Sequence, residues 1–293
     1  MMLFGCCGSS RTKFEGRGAD AFSESYKIDA GRMLGAGTAG SVYKCTERGT
    51  KTRFACKIVI KSSQESIIEC EREIEIMKKM NGCDNIISFK EKFEDPEYLF
   101  LVQELCVGGE LFDQIGKDGN DHFSEADAAV IMRQVLGGVA ACHSNLIVNR
   151  DLKPENFLLK NKGDISDIRM IDFGLSRFFN PGERLQTRVG TVYYTAPEVW
   201  DEDYDQACDL WSAGVIMFVS LSSSLPFNGD SDKDILRKVR KGSLVFPSPS
   251  WDTIAPDTKR FIRKLLTRTT RRRLTASEAL NDPCLLKASK VES

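Results

Sequence analysis

The sequence predicts an α+β fold of two unequal lobes, a small one rich in strands and a larger one built from helices. Three observations carry this. Residues 26–104 are strand-rich around a single helical stretch, residues 105–109 break the pattern, and beyond them apolar residues recur at helical intervals. With 293 residues, 41% hydrophobic and 28% charged, the chain has an ordinary globular balance and can bury a sizeable core.

Residues 1–25 carry Gly5, Gly8, Gly16 and Gly18 among Ser, Arg and Lys without any period, and read as a disordered tail. Strands are expected at residues 42–45, 54–60, 89–93 and 98–104. A helix over residues 65–80 places Ile67, Glu73, Ile74 and Met77 at helical spacing with charges between. Residues 105–109 form the hinge. A second helix starts at Ser124, with Asp127 three residues on as a loose capping box, and continues through Val130, Ile131, Gln134, Val135, Leu136 and Val139; another follows Asp209. The expected domain spans residues 26–284, with the small lobe at 26–104, the large lobe at 110–284 and a short tail at 285–293.

The net charge of −1 gives no global field toward nucleic acid or anionic lipid, and neither is expected as a partner. No apolar run reaches the roughly 18 residues of a membrane span. Ten cysteines are scattered without a C-x-x-C pair, which predicts reduced thiols in the cytoplasm, with the nucleus as the alternative.

The chemistry concentrates in Arg150-Asp151-Leu152-Lys153-Pro154-Glu155-Asn156 and, after a gap, Asp172-Phe173-Gly174. Acid and amide groups with a lysine at this spacing suit phosphoryl transfer, in which a protein supplies positioning and charge rather than covalent chemistry. Asp151 is suited to orient and deprotonate a hydroxyl, Asn156 and Asp172 to hold magnesium, and Lys153 to neutralise charge on the phosphate in flight.

Over about nine tenths of its length the chain resembles the protein kinases, which implies the bilobal protein kinase fold and ATP with Mg2+ as cofactors. Leu34-Gly35-Ala36-Gly37-Thr38-Ala39-Gly40-Ser41-Val42 matches the glycine-rich loop over the phosphates, and Ala55-Cys56-Lys57 resembles the strand whose lysine pairs them. Ala196-Pro197-Glu198 and Asp209-Leu210-Trp211-Ser212-Ala213-Gly214 are similar to two further kinase motifs, the second anchoring the catalytic loop. The resemblance implies that a helix carboxylate holds Lys57, and Glu73, one turn before Met77, is placed for it while Glu75 would face away. It implies that backbone groups of Glu104 and Cys106 meet adenine, that Val42, Ala55 and Leu158 sandwich it, and that Gln103 stands at the back of its pocket. There a glutamine either excludes bulky inhibitors or satisfies itself on nearby backbone.

Lys153 and Gly190-Thr191 resemble serine/threonine kinases, with Thr191 expected near Asp151 and Lys153. Glu110 and Glu155 lie where basophilic kinases bind an arginine, implying a preference for Arg-x-x-Ser/Thr in protein substrates. Thr187 lies in the activation segment, where an upstream kinase is expected to act and Arg150 and Arg177 to receive the phosphate. Glu198 and Arg273 should pair. One departure is Asn149, where the family carries histidine. It is smaller but keeps a donor and an acceptor, and is expected to join Met77, Phe89 and Phe173 in a spine, so an active kinase is expected, its active state looser at most, with a silent scaffold as the alternative.

The runs from Gly190 to Glu198 and from Leu225 to Gly229 look like the calcium/calmodulin-dependent group, especially plant and protist calcium-dependent kinases. In the D-x-D-x-D run at residues 230–234, Ile235 and Lys241 stand where a calcium loop needs Gly and Glu, so a helix start and no direct calcium binding are expected. Gly5-Cys6-Cys7-Gly8-Ser9-Ser10 is similar to acylated starts in that group, but residue 2 is Met, so membrane association is not expected. The basic run 259–273 reads as a helix closing the large lobe, with a calmodulin target as the alternative. A small-molecule phosphotransferase of related fold is disfavoured by the Ala-Pro-Glu motif.

Overall fold

The computed structural model describes residues 20–37, 40–115 and 121–288. A short helix α1 (Asp20–Ser25) leads into an antiparallel sheet of order β1-β2-β3-β5-β4, formed by β1 (Tyr26–Gly37), β2 (Gly40–Glu47), β3 (Arg53–Ile60), β4 (Phe89–Glu94) and β5 (Tyr98–Gln103). Helix α2 (Gln64–Lys79) crosses between β3 and β4. β5 is buried along Leu99–Gln103 because both faces of the sheet are covered, which is why its sequence is an apolar run rather than an alternation.

α2 begins at Ser63, whose hydroxyl accepts from the Ser66 N–H while the Ser66 hydroxyl accepts from the Ser63 N–H, closing a capping box. Its stripe of Cys70, Glu73, Ile74, Ile76 and Met77 is buried against the sheet and the large lobe.

The tail expected through residue 25 fails in its last six residues. Phe22 is buried, stacks on Tyr26 and Phe100 at 5.6 and 4.8 Å, and meets Phe93 edge-on at 5.6 Å. With Tyr26, Cys45, Cys56, Ile58 and Val102 it forms a separate core on the outer face of the sheet. One large apolar side chain in a six-residue helix leaves no period to read. Gly5–Ser10, Thr38 and Ala39 lie outside the described residues.

The large lobe is built on α3 (Glu125–Ser144), capped by Ser124 as expected, with two small hairpins beneath the cleft. β6 (Ile147–Val148) pairs with β9 (Arg177–Phe178), and β7 (Phe157–Leu159) with β8 (Ile168–Met170). After α4 (Pro197–Trp200) comes α5 (Cys208–Ser222), buried on all sides from Cys208 to Leu221, as an all-round apolar helix must be. α6 (Asp232–Lys241) is capped by Ser231, so the D-x-D-x-D run is a helix start.

α7 (Pro256–Leu265) buries Phe261, Ile262 and Leu265, so the apolar stripe of the basic run belongs to the lobe's own core. α8 (Ala276–Leu280) and α9 (Pro283–Ala288) close the lobe; Leu285 is fully buried, so packed structure continues past residue 284. Arg273 grips the Glu198 carboxylate with both terminal guanidinium nitrogens, Nη2 at 3.0 Å, donates to the Ala207 carbonyl at 2.8 Å and lies over the Trp211 ring. All eight described cysteines are unpaired thiols, and no described helix is long and apolar enough to cross a membrane.

Candidate active site

The cleft is roofed by β1 and β2. An added Cβ on Gly40, at φ +151°, would lie 2.2 Å from the Ile58 carbonyl oxygen, so only glycine lets the loop return this close to β3. Gly35 faces open space, and Leu34 is exposed. Beneath, Ala55 is buried while Val42 and Leu158 are half-buried.

At the back, Gln103 is 8% exposed and lies in register with Ala55 and Phe89. The Glu104 N–H donates to Ser88, and Val107 and Gly108 donate to Lys160 and Leu159. Among the described residues nothing bonds to the Glu104 carbonyl or the Cys106 N–H, which leaves an acceptor and a donor for a flat heterocycle. The Glu104 side chain is held by Lys160 at 2.9 Å and Arg169 at 3.4 Å. Burial disfavours its charge, but those cations outweigh this and keep it below the usual carboxylate range. Burial pushes the neighbouring Cys106 thiol up to about 12.

Lys57 Nζ lies 2.6 Å from Glu73 Oε1, while Glu75 is exposed. Burial acts to lower the Lys57 pKa, yet Glu73 first and Asp172 next raise it further, so the ammonium stays charged well above neutral pH. It therefore stands between the helix and the floor of the cleft as a fixed cation.

The floor is the loop between β6 and β7. Asp151 Oδ2 receives Lys153 Nζ at 2.7 Å and Oδ1 receives the Thr191 hydroxyl at 3.0 Å; Lys153 also reaches that hydroxyl at 3.3 Å. Asn156 Nδ2 donates to the Asp151 carbonyl at 2.8 Å. Asp172 Oδ1 accepts from the Gly174 N–H at 2.9 Å. Four sequence-predicted groups thus meet at one point, and Asp172 also bears on Lys57 across the cleft.

Glu110 and Glu155, the carboxylates expected to face a substrate arginine, bear on one another electrostatically. Glu110 bridges to Leu158 through its backbone, and its carboxyl is raised by burial, then by Asp113 and Glu155. Asp113 was not singled out in the sequence, because its relevance depends on the turn that brings it beside Glu110.

A protein kinase domain model matches residues 28–285. The chain belongs to the protein kinase family. Calcium-dependent protein kinase 25 of Arabidopsis thaliana is 44% identical over 256 residues, 86% of this chain and 49% of that protein. Calcium-dependent protein kinase 5 of Oryza sativa subsp. japonica is 42% identical over 271 residues, 92% and 49%, and calcium-dependent protein kinase 4 of Solanum tuberosum 44% over 256 residues, 86% and 46%. The chain spans about half the length of the curated relatives it matches.

Within this kinase domain the Asn149 departure has a definite geometry. Asn149 is buried; its Nδ2 donates to the Asp172 carbonyl at 3.0 Å and to Ser176 Oγ at 3.3 Å, and its Oδ1 accepts from the Asp151 N–H at 3.1 Å. The amide therefore links the loop carrying Asp151 to the segment carrying Asp172 directly, and Met77, Phe89 and Phe173 are buried in the same continuous core. The smaller side chain thus spends both its donor and its acceptor on these two segments.

Around Thr187 the expected phosphate partners are already engaged. Arg177 pairs with Glu183 at 2.9 Å, and Arg150 donates to the Leu175 carbonyl at 2.8 Å and the Tyr204 hydroxyl at 3.2 Å. Sequence reading missed Tyr204, His143 and Ser176. Their partners lie 54, 66 and 27 residues away, and no local pattern marks them.

Replacing Asn149 by Leu keeps the branched side-chain shape, at a somewhat larger volume, but leaves the Asp172 carbonyl and the Asp151 N–H without these partners. Stability is expected to fall by about 1–3 kcal/mol in urea unfolding, the cost of buried unsatisfied polar groups; an unchanged midpoint would count against the link.

Proposed function

We propose that this chain is a serine/threonine protein kinase that transfers the terminal phosphate of Mg-ATP to hydroxyls of proteins, preferring arginine upstream of the acceptor. The observation that carries this is the meeting of Asp151, Lys153, Asn156 and Thr191 at the cleft floor while Lys57 and Glu73 are joined above it.

In this reading the Glu104 carbonyl and the Cys106 N–H take the edge of adenine, Leu34, Val42, Ala55 and Leu158 enclose its faces, and Gln103 closes the back against bulkier ligands. Gly35, Gly37 and Gly40 bring backbone over the phosphates, and Lys57 pairs them as a fixed positive charge. Asp151 orients the attacking hydroxyl and takes up its proton. Lys153, already beside Asp151, offsets charge on the transferred group without moving far, so little reorganisation is needed.

The donor set fits a magnesium ion. Asn156 spends its Nδ2 on the Asp151 backbone, leaving its amide oxygen, and Asp172 offers a carboxylate; hard oxygen donors are what Mg2+ selects. When bound, the ion supplies charge neutralisation on the phosphate oxygens.

Glu110, Glu155 and Asp113 form the acceptor for a substrate arginine through charge-assisted hydrogen bonds. Thr187 is exposed and open to an upstream kinase.

Transfer of radiolabelled phosphate to an Arg-x-x-Ser peptide tests the reading. The wild type is expected to transfer and Asp151→Asn to lose about 10²–10⁴-fold in rate. Nucleotide binding without transfer would instead support a silent scaffold.

The raised Glu110 carboxyl also predicts a pH signature. It protonates at higher pH than an ordinary glutamate, so the kcat/KM advantage of an Arg peptide over its Ala counterpart should fade as pH falls into the mildly acidic range and persist above neutrality. The same advantage should drop about tenfold in Glu110→Gln, the scale of one charged hydrogen bond. A ratio flat with pH and insensitive to Glu110→Gln would move the arginine site elsewhere.

A further inference from the structure

Tyr204 belongs to none of the motifs, yet its hydroxyl joins the two segments that must be aligned for transfer. The residue is fully buried. Its Oη accepts from Arg150 Nη1 at 3.2 Å and donates to the Thr187 carbonyl at 2.7 Å. Arg150 directly precedes Asp151 and sits at φ 71°, a left-handed conformation that a side-chain-bearing residue holds only when its surroundings enforce it. The Tyr204 backbone also pairs with Leu185, the Leu185 N–H donating to it at 2.7 Å and its own N–H returning at 3.2 Å.

The charges nearby are satisfied within the chain. Arg184 reaches Asp203 at 2.7 Å and Asp205 at 2.9 Å, Arg188 reaches Glu202 at 2.9 Å, and Arg177 reaches Glu183 at 2.9 Å. The first three are largely exposed pairs, and such pairs fix little on their own. The buried phenol and the backbone bridge therefore carry the alignment. Burial raises the Tyr204 pKa, so it remains a neutral hydroxyl able to donate and accept at once.

We propose that Tyr204 is a positioning residue that couples the activation segment to the catalytic loop where a phosphate on Thr187 would otherwise be needed, so that transfer proceeds with Thr187 unmodified. This rests on the kinase reading above. An anion ordering such a segment works by giving a cation beside the catalytic aspartate a fixed acceptor. Here Arg150 has that acceptor in the Tyr204 oxygen, and the same oxygen's proton holds the segment.

The test measures steady-state transfer to the Arg-x-x-Ser peptide by four proteins, each treated with phosphatase: wild type, Thr187→Ala, Tyr204→Phe, and Tyr204→Phe with Thr187→Glu. Thr187→Ala keeps the backbone carbonyl that Tyr204 uses and should stay within about twofold of wild type. Tyr204→Phe keeps the buried ring and should lose about tenfold in kcat with KM for ATP unchanged, the scale of a hydrogen bond to a charged group. Adding Thr187→Glu to it should recover much of that loss by supplying Arg150 with a new acceptor. A merely structural role would not give this rescue.

Full activity in Tyr204→Phe, a loss that Thr187→Glu does not relieve, or inactivity of phosphatase-treated wild type that phosphorylation of Thr187 restores would each overturn the proposal. A wild type that transfers nothing, phosphorylated or not, would contradict the kinase reading itself and the proposal with it.

Discussion

The Asp209 carboxylate is the constraint on which the rest of this site depends. It is fully buried, accepts the Asn149 N–H at 2.9 Å and the Arg150 N–H at 2.8 Å, and receives His143 Nε2 at 2.9 Å. Left-handed backbone at Arg150 costs on the order of 1–2 kcal/mol, and a charged acceptor for its N–H is of the same size, so the strained turn persists. Asp209 lies in the first turn of α5, where the helix end favours a negative charge. Because α5 is packed on every side, the carboxylate has nowhere to move. The core of the large lobe thereby fixes the loop that presents Asp151.

From that turn the remaining geometry follows outward. Asn149 passes the position to Asp172, Lys153 and Thr191 close on Asp151, and Asp172 faces Lys57 across the cleft. The Lys57–Glu73 pair is buried, and a pair of this kind offsets its own desolvation without adding much net stability. Its value is positional: it ties α2 to the sheet with the ammonium aimed at the cleft. The activation segment is fastened at two points, by Glu198 with Arg273 at its far end and by Gly190 within it. An added Cβ on Gly190 would lie 2.7 Å from the Arg150 carbonyl, so the segment rests directly on the catalytic loop.

Much of this was legible in the sequence because kinase motifs are contiguous and each answers a backbone demand. Glycines were readable where the chain must pass close to itself, and Glu73 followed from helical spacing because α2 keeps a regular period. Element limits shifted where a lone packed residue decides them, as with Phe22 and Leu285. For Asn149 the retained donor and acceptor were readable but their partners were not, since the Ser176 hydroxyl and the Asp172 carbonyl come from 27 and 23 residues away. Arg177 was read by position as a partner for a phosphate, and the carboxylate it meets in the unmodified chain, Glu183 six residues on across a turn closed by Asn180, has no signature in the sequence. Competition of that kind is decided in three dimensions.

The most direct test of this account is steady-state phosphate transfer by Asp209→Asn, with ATP affinity measured in parallel by a fluorescent nucleotide. The substitution keeps shape but removes the charge that receives three donors. A fall in kcat of about a hundredfold or more is expected, with nucleotide affinity changed by less than about threefold, since the lost interaction orients Asp151 rather than the nucleotide pocket. An unchanged kcat in a folded Asp209→Asn protein would contradict it.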